Sequence, residues 1–313
     1  MQKAIILTDG KAGHENQSKA FARALGLDFE LVPVKFKSPL HKALSYLLDR
    51  LGIRTVGLLQ GLDDILHSST PPLTHSSTVI GTGSGTFYAA KALARRIGAK
   101  CGVVLYPRGY ALSSFDCILA LSFDNPAERP NVVEIPANLV ANDAEFYEKG
   151  VASFAARHAG PTDNLVGVIV GGPNKCSSMS ADWMKARLDE IFAANKGAQM
   201  CVTTSRRTPA DVEVVVDSYP WDYKLIYSKD HFNPIPAFVK LAKRLYVTAE
   251  STGMLSEACT FGSAEVVALD NLNPGPHKFR RFVENLRAGG YVDGCRKIDL
   301  SAQFARARAL MGL

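Results

Sequence analysis

The sequence predicts an α/β protein of two domains, each built on a mostly parallel β-sheet. Short apolar runs with the length of buried strands alternate along the chain with segments of helical spacing. The alternation occurs twice, and the composition changes between the two copies at residues 155–164, where small and polar residues surround Gly160 and Pro161. At 313 residues, the chain is also about twice the size of a common single domain.

The first half opens with the strand pattern KAIILT (3–8), a turn at Asp9 and Gly10, and the helical pattern HENQSKAFARAL. Further strand and helix patterns follow in the order FELVPV, a helix from Pro39, STVIGTG, TFYAAKALARRIG, CGVVLY, FDCILAL and NVVEI. Strands that alternate with helices are typical of a parallel sheet. We therefore predict a Rossmann-like domain over residues 1–158.

The pattern restarts after the change in composition. Its elements are LVGVIVGG, a helix near 181–194, AQMCVTTS, a helix near 208–217, YKLIYS, PAFVKLAKR, LYVTA and AEVVALD. They predict a second Rossmann-like domain over residues 159–313, with a last helix that can cross back to the first domain. We expect the two domains to face a cleft.

The composition is that of an ordinary soluble globular protein, with 47% apolar and 21% charged residues. A net charge of +6 favours anionic ligands, acidic lipid surfaces or nucleic acid without choosing among them. No Lys/Arg-rich tract is interleaved with aromatic residues, so we expect no nucleic-acid partner. The oligomeric state is not readable from the sequence.

The cysteines and the start of the sequence bear on location and metals. Six cysteines stand singly, without a CxxC pair or metal-ligand spacing, which predicts reduced and buried thiols and no metal site. The start, MQKAIILTDGKAGH, has only four apolar residues in a row before Asp9, too few for a signal peptide. We expect a cytoplasmic protein, with attachment to the inner face of the membrane left open.

Five strand-end loops are rich in glycine and hydroxyl residues, and the carboxyl ends of parallel strands are where ligands bind. They are TDGKAGHENQ (8–17), GTGSGT (81–86), GGPNKCSS (171–178), TTSRRTP (203–209) and TAESTGMLSE (248–257). Backbone N–H groups at glycines, followed by a helix N-terminus, suit a phosphate. The alternative is that these residues only form turns and caps. In the first two loops, the candidates for an acceptor or cleft role are Asp9, Lys11, Gly13, Gly83 and Ser84.

Several familiar motifs are missing from these loops. GTGSG is not GxGxxG, no GxxxxGK[ST] occurs, HENQS lacks the second histidine of HExxH, and no serine stands at the centre of a GxSxG. Dinucleotide, P-loop, zinc-peptidase and serine-hydrolase functions are therefore disfavoured.

The last loop, TAESTGMLSE, ends in Glu257, and the role of that glutamate needs an explanation. Ser251, Thr252 and Gly253 precede a predicted helix and can present hydroxyl and N–H groups to a diphosphate, with Glu257 about one turn further on. A carboxylate there can accept hydrogen bonds from the 2′ and 3′ hydroxyls of a ribose, each worth roughly 1.5 to 3 kcal/mol. The alternative is a glutamate that only complements the helix dipole.

The order of these C-terminal loops resembles the GT-B nucleotide-sugar glycosyltransferases, especially the bacterial N-acetylglucosaminyltransferase that acts on the undecaprenyl-linked peptidoglycan precursor. DGKAGH loosely matches that enzyme's glycine-rich loop ending in histidine. The chain resembles more closely the mitochondrial-fission family of elongated-mitochondria proteins, which has bacterial members and is GT-B-like. The marks are TDGKAGHENQ, GGPNK, TTSRRTP, Asn233-Pro234, VTAESTGMLSEA and HKFRRF (277–282). Two positions depart from the family pattern: Glu250 replaces an Asp, and Phe123-Asp124 replaces a His-Asp pair.

The resemblance implies roles only where the motifs match. Those implied at the donor phosphates, sugar or nucleotide are Gly171, Gly172, Asn174, Lys175, Ser205, Arg206, Arg207, Ser251 and Thr252, with Glu257 on the ribose. His14 is the implied general base or stabiliser of the leaving phosphate. Lys278, one turn from Arg281, suits an anionic acceptor or an interdomain contact. Each residue also has an ordinary structural alternative, as a turn, a cap or a solvated side chain.

Together these observations predict a metal-free GT-B-like glycosyltransferase with a nucleoside-diphosphate sugar, of UDP type, as co-substrate and no other cofactor. The acceptor is open, and lipid-linked or membrane-surface acceptors are candidates because YLLDRLG and LGIRTVGLL (46–59) could form an amphipathic face, although such a stripe is more often core. The alternatives are a non-enzymatic, membrane-associated scaffold, as in the plant relatives, and a nucleotide-sugar 2-epimerase.

Overall fold

A computed structural model describes residues 3–62 and 78–313. Two segments of the sequence analysis extend beyond the described residues. The start MQKAIILTDGKAGH includes Met1 and Gln2, and the strand pattern STVIGTG includes Ser77, and these three residues lie outside the described ranges. The chain divides into two compact units. The first unit is Met1–Ile135, Leu139–Ala141 and Leu300–Leu313, and the second is Pro136–Asn138 and Asn142–Asp299.

The first unit is built on a six-stranded sheet of order β2-β1-β5-β6-β7-β8, in which every neighbouring pair is parallel. Two further short strands, β3 and β4, form an antiparallel ribbon. The strands are β1 (Lys3–Thr8), β2 (Asp28–Pro33), β3 (Lys35–Phe36), β4 (Leu59–Gln60), β5 (Thr78–Thr82), β6 (Lys100–Val104), β7 (Cys117–Leu121) and β8 (Val132–Ile135). The central strands β5 and β7 are buried at every residue, which explains their continuous apolar sequence.

Among the described residues, the first unit has four α-helices. They are α1 (Ala12–Ala24), α2 (Pro39–Arg50), α3 (Phe87–Ile97) and, from the C-terminus, α10 (Ser301–Met311). Helix α2 begins at Ser38, whose hydroxyl accepts the His41 N–H, with Pro39 in the first turn. Helix α10 packs on β6, β7 and β8, so the C-terminus of the chain belongs to the first unit.

The second unit is a five-stranded sheet of order β11-β10-β9-β12-β13, again parallel at every pair. Its strands are β9 (Leu165–Ile169), β10 (Gln199–Thr203), β11 (Tyr223–Leu225), β12 (Arg244–Thr248) and β13 (Glu265–Leu269). Its helices are α4 (Ala144–Ala155), α5 (Ala181–Ala194), α6 (Ala210–Asp217), α7 (Ile235–Leu241), α8 (Thr252–Thr260) and α9 (Lys278–Ala288). Each unit taken by itself is therefore Rossmann-like, as predicted.

The predicted domain boundary at 158/159 differs from the division of the chain, which changes units between 135 and 142. Asp143 caps the start of helix α4 by accepting the Phe146 N–H at 2.9 Å, and the helix packs against α7 in the second unit. Gly150 permits a close approach, because a Cβ there would lie 2.5 Å from Pro236 Cβ. The Gly-Pro stretch near 160 is thus a connection from α4 to β9 within the second unit.

Candidate nucleotide site and acid–base pair

Three loops of the second unit lie together at one edge of its sheet. They follow β9, β10 and β12, which are neighbours in the order β10-β9-β12 and run parallel, so their carboxyl ends share one edge. The loops are GGPNKCSS, TTSRRTP and TAESTGMLSE, the three that the sequence singled out in this half. This edge is the place where open parallel sheets bind ligands.

Glu250 ties these loops to one another from within. Its side chain is buried, and Oε1 accepts the Gly172 N–H at 2.8 Å and the Thr248 hydroxyl at 3.1 Å. Oε2 accepts the Asn271 amide at 2.8 Å, which adds the loop after β13. The Thr248 hydroxyl in turn accepts the Gly171 N–H at 2.9 Å. A buried carboxylate with this many donors is a structural anchor.

The glycines of GGPNK have a packing role at this anchor. A Cβ at Gly171 would overlap Glu250 Oε1, and one at Gly172 would overlap the backbone carbonyl of Arg207. Both N–H groups are donated inside the unit, to Thr248 and to Glu250. Gly171 and Gly172 therefore bring the loops after β9 and β10 into close approach, and their N–H groups are occupied.

The remaining predicted residues of these two loops form turns with exposed basic side chains. The Asn174 side chain accepts the Cys176 N–H at 2.7 Å, and the Ser205 N–H donates to the Thr208 hydroxyl at 2.8 Å. Lys175, Arg206 and Arg207 are exposed and form no ion pair with any residue that the structure describes. Three cations therefore lie in two adjoining loops without a protein anion.

Helix α8 begins without a side-chain cap. Ser251 stands at the N-cap position, but its hydroxyl accepts no bond from the first turn. The Thr252 N–H reaches the Glu250 carbonyl at 3.2 Å, whereas the N–H groups of Gly253 and Met254 have no partner among the described residues. A Cβ at Gly253 would meet nothing within 4 Å. An uncapped, open helix N-terminus provides donors and a favourable dipole for an anion.

Glu257 lies one turn further along α8 and is positioned by two residues that the sequence analysis did not single out. The Tyr147 hydroxyl donates to Glu257 Oε1 at 2.9 Å, and the Asn142 amide donates to the same oxygen at 3.3 Å. Oε2 accepts no hydrogen bond from the described residues. Burial raises the pKa of Glu257, against the opposing effect of these two donors. The carboxylate is therefore held by one oxygen, and its other oxygen is unused.

In the first unit, the structure brings together His14, Asp9 and Lys11. His14 Nδ1 lies 3.1 Å from both carboxylate oxygens of Asp9, and Lys11 Nζ lies 3.1 Å from Oδ2. Burial favours a higher pKa for Asp9, but the Lys11 hydrogen bonds and the nearby His14 charge outweigh it, so the Asp9 pKa is lowered. In the neutral form of His14, an ionised Asp9 fixes Nδ1 as the donor, and Nε2 is then the acceptor.

The loop after β5 makes room for this pair. Gly83 has φ of +81°, and a Cβ there would overlap the His14 ring and lie 2.7 Å from Nδ1. A Cβ at Gly85 would lie 2.8 Å from Asp9 Oδ2. Ser84 is exposed and accepts from Lys42 Nζ at 3.0 Å, and Gly13 is exposed in the first turn of α1. The glycines of GTGSG thus accommodate the acid–base pair.

Lys278 stands in the first turn of α9. It is exposed at the start of α9, with its ammonium 5.2 Å from the Phe279 ring centroid. The neighbouring Arg280 instead fixes the loop after β13, by donating to the carbonyls of Leu272 and Asn273 and to Asp270.

Residues 3–62 and 78–313 bear on metal, membrane and thiol chemistry. Within those ranges, no group of three or more His, Cys, Asp or Glu side chains is placed to hold a metal ion, and no helix is long and apolar enough to cross a membrane. All six cysteines are free, as predicted, but Cys176 is half-buried and Cys295 is exposed, so the expectation of six buried thiols is wrong.

The residues that sequence reasoning missed act over long separations. Tyr147 and Asn142 contact a residue more than a hundred positions away, and no local pattern marks them. Glu250 had one signal, its departure from the family pattern, but its anchoring role depends on the approach of Gly172 and Asn271.

The chain has two units, each built on a parallel sheet with glycine- and hydroxyl-rich loops at its strand ends, and its last helix belongs to the first unit. These features define a protein of the GT-B fold. The chain belongs to the mitochondrial fission ELM1 family, whose model matches residues 12–305. Both the fold and the family predicted from the sequence are thereby confirmed.

Individual relatives support this assignment. The mitochondrial fission protein ELM1 of Arabidopsis thaliana is 24% identical to this chain and spans 93% of it and 84% of its own length. Among solved structures, a protein assigned as a UDP-N-acetylglucosamine 2-epimerase from Listeria monocytogenes superposes with a TM-score of 0.55 at 11% identity, over 100% of this chain and 89% of that one. The UDP-GlcNAc 2-epimerase of Neisseria meningitidis bound to UDP-GlcNAc gives 0.52 at 12% identity, over 100% and 98%. At such identities the likeness concerns the fold.

Proposed function

We propose that this chain binds a nucleoside-diphosphate sugar at the carboxyl edge of its second sheet and transfers the sugar to an acceptor hydroxyl. The observation that carries the proposal is the pairing of the uncapped start of α8 with Glu257, whose Oε2 is unused. A helix N-terminus suits a diphosphate, and a carboxylate one turn on suits the ribose hydroxyls. The UDP-GlcNAc in the Neisseria structure of the same fold supports a UDP-type donor.

Within this proposal, the diphosphate accepts hydrogen bonds from the N–H groups of Gly253 and Met254 and from the hydroxyls of Ser251 and Thr252. Lys175, Arg206 and Arg207 neutralise the charge that develops as the diphosphate leaves, which is the role that a metal ion fills elsewhere. Asn174 and Ser205 shape the turns that carry these cations. Gly171 and Gly172 contribute through loop packing.

The Asp9–His14 pair supplies the acid–base step in this proposal. With Nδ1–H donated to Asp9, His14 Nε2 can take the proton of the attacking acceptor hydroxyl. Lys11, Gly13, Gly83 and Ser84 belong to the same loops and are proposed to lie on the acceptor side. We propose that the acceptor is lipid-linked and reached from the cytoplasmic face of a membrane.

The first experiment is calorimetric titration with UDP, GDP, ADP, CMP and TDP. We expect one nucleotide to bind, and a ligand at about 100 times its dissociation constant to stabilise the protein by roughly 2.7 kcal/mol. Glu257→Ala is expected to weaken binding about tenfold or more, corresponding to about 1.4 kcal/mol. The matched control is Glu190→Ala, which removes an exposed glutamate of α5 and is expected to bind like the wild type.

A second pair of variants tests how Glu257 is positioned. Tyr147→Phe removes the hydroxyl that holds Oε1 and is expected to weaken binding several-fold, since one hydrogen bond to a charged group is worth about 1.5 to 3 kcal/mol at most. Tyr219→Phe removes a similar hydroxyl–carboxylate bond, to Asp189 on the surface of the same unit, and serves as control.

Two outcomes would replace the proposal. If no nucleotide binds to the folded protein, the non-enzymatic scaffold that the name of the plant relative suggests takes first place. If a sugar product forms without any acceptor and is inverted at C2, the chain is a 2-epimerase. If His14 is the general base of a transferase, His14→Ala is expected to lower the rate of sugar transfer and to leave nucleotide affinity unchanged.

A further inference from the structure

Helix α2 of the first unit exposes an apolar face and buries a polar one. Leu40, Leu44, Leu47 and Leu51 are spaced four, three and four residues apart and so share one face. Their side chains are 79%, 40%, 55% and 64% exposed. The buried residues of the helix are Ser45 and Asp49, on the opposite face.

The polar face of α2 is fixed inside the unit by specific bonds. Both carboxylate oxygens of Asp49 accept from Lys91 Nζ at 2.8 Å, and Oδ2 also accepts the Ala111 N–H at 2.7 Å. The Ser45 hydroxyl lies 3.0 Å from the Tyr110 hydroxyl. Because turning the helix would leave a buried charge pair unpaired, the leucines are held outward.

Within residues 34–62, the exposed charged side chains are all cationic. Between residues 34 and 62 the chain has a single carboxylate, Asp49, and it is paired internally with Lys91. Lys35, Lys37 and Arg50 of the same segment are exposed. The surface of this segment therefore presents apolar and cationic groups together.

We propose that the α2 leucine face, defined as Leu40, Leu44, Leu47 and Leu51 with Ile53, inserts into the surface of a bilayer that contains anionic lipid. Leucines enter the boundary between headgroups and acyl chains, and flanking Lys and Arg side chains contact lipid phosphates. The proposal does not depend on the nucleotide site. It goes beyond the sequence expectation, in which a stripe here was more often core.

A second copy of the chain fits the face less well than lipid does. Five partly exposed aliphatic side chains present a few hundred Å², whereas a stable protein interface covers about 800 Å² on each partner. The exposed cations of the segment would also face each other across a two-fold contact. A lipid surface needs neither the larger area nor a complementary shape.

The test is cosedimentation with vesicles, using the full chain in three forms. The vesicles are phosphatidylcholine alone or an equimolar mixture with phosphatidylglycerol. We expect binding to the mixed vesicles that falls about tenfold or more in Leu47→Ser with Leu51→Ser, and that weakens with added salt. Val214→Ser removes a residue 71% exposed in the second unit and is expected to bind like the wild type.

A second variant separates the charges from the leucines. Lys37→Gln with Arg50→Gln keeps the leucine face and is expected to lose the preference for phosphatidylglycerol. Thermal unfolding checks that each variant folds, which exposed positions permit. Equal vesicle binding by the leucine variant and the wild type would overturn the proposal. So would a wild-type dimer that the leucine variant converts to a monomer in sedimentation velocity, without any vesicle binding.

Discussion

Glu250 Oε1 accepts the backbone N–H of Gly172 at 2.8 Å, and this bond joins the loop after β12 to the loop after β9. Glu250 is 2% exposed, and it also accepts from Thr248 and Asn271. The arrangement of the loops at the candidate nucleotide site thus depends on Glu250, a residue to which no ligand-binding role is assigned. The Glu250 side chain reaches both neighbouring loops, those after β9 and β13.

Glu250→Ala should destabilise the protein strongly. The change leaves the N–H of Gly172 and the amide of Asn271 buried without their acceptor, and each such loss costs roughly 1 to 3 kcal/mol. We expect the free energy of unfolding in urea to fall by about 2 to 4 kcal/mol. Glu190→Ala, at an exposed site, is expected to change it by less than about 0.5 kcal/mol. A loss below that size for Glu250→Ala would show that the loops hold together without the carboxylate.

The pH dependence of the stability of Glu257→Gln distinguishes a ligand-binding glutamate from one that only stabilises its helix. Burial raises the folded-state pKa of Glu257 above its ordinary value of 4.5. Between that value and the raised pKa, the native state binds more protons than the unfolded chain, so the contribution of Glu257 to stability falls as pH rises. Above the raised pKa the ionised carboxylate opposes folding.

We therefore expect Glu257→Gln to be more stable than the wild type at neutral pH, with the difference shrinking as pH falls through the raised pKa and vanishing below about 4.5. The measurement is a series of urea unfolding curves over that pH range. The same variant should bind nucleotide more weakly, and wild-type binding should weaken as Glu257 is protonated. A Glu257→Gln protein that is less stable at neutral pH would instead favour the dipole-complementing role.

Gly83→Ala tests the packing of the acid–base pair in the first unit. The added Cβ would overlap the His14 ring, and φ of +81° is unfavourable for alanine. Gly10→Ala is the matched control, because Gly10 has φ of +79° and nothing within 4 Å of the added atom. We expect Gly10→Ala to lower the unfolding free energy by about 1 kcal/mol and Gly83→Ala by a further 1 to 3 kcal/mol, from the clash. Equal losses would mean that the His14 ring moves aside freely.

The secondary structure could be predicted because buried parallel strands have continuous apolar sequences. β5, β7 and β9 are buried at every residue and appear as the runs TVIGT, CILAL and LVGVI. The domain boundary could not be predicted in the same way. The Gly-Pro stretch near 160 has the composition of a linker, whereas the crossover at 135–142 has no Gly-Pro pair, and α4 belongs to the second unit through its packing on α7 and the bond from Tyr147 to Glu257 of α8.

The site was predictable at the level of loops, and its bonding was not. Parallel strand ends must share an edge, so GGPNK, TTSRRTP and TAESTGMLSE could be brought together from their positions alone. Whether the Gly172 N–H faces a ligand or Glu250 depends on backbone direction, which spacing does not encode. The Tyr147–Glu257 bond likewise joins residues whose proximity only the folded chain determines.

Lys91→Met tests the buried pair that holds the leucine face of α2 outward. Burial lowers the pKa of Lys91, and the contact of its ammonium with Asp49 at 2.8 Å opposes that shift. Removing Lys91 leaves the buried Asp49 carboxylate with the more distant Arg54, whose Nε lies 4.0 Å from Oδ1, and we expect the free energy of unfolding to fall by about 3 to 5 kcal/mol. Lys100→Met, which breaks an exposed pair of the same 2.8 Å length with Asp116, should cost less than about 1 kcal/mol.

The double variant Lys91→Met with Asp49→Leu completes the cycle. Replacing both charges by apolar groups removes the unpaired carboxylate, so much of the loss should be recovered, leaving the lost acceptor of the Ala111 N–H and the lost donor to the Ala111 carbonyl. Urea unfolding of the four proteins gives the coupling energy directly. If the single and double variants lose the same stability, Asp49 finds other partners when Lys91 is gone, and the pair does not fix the orientation of α2.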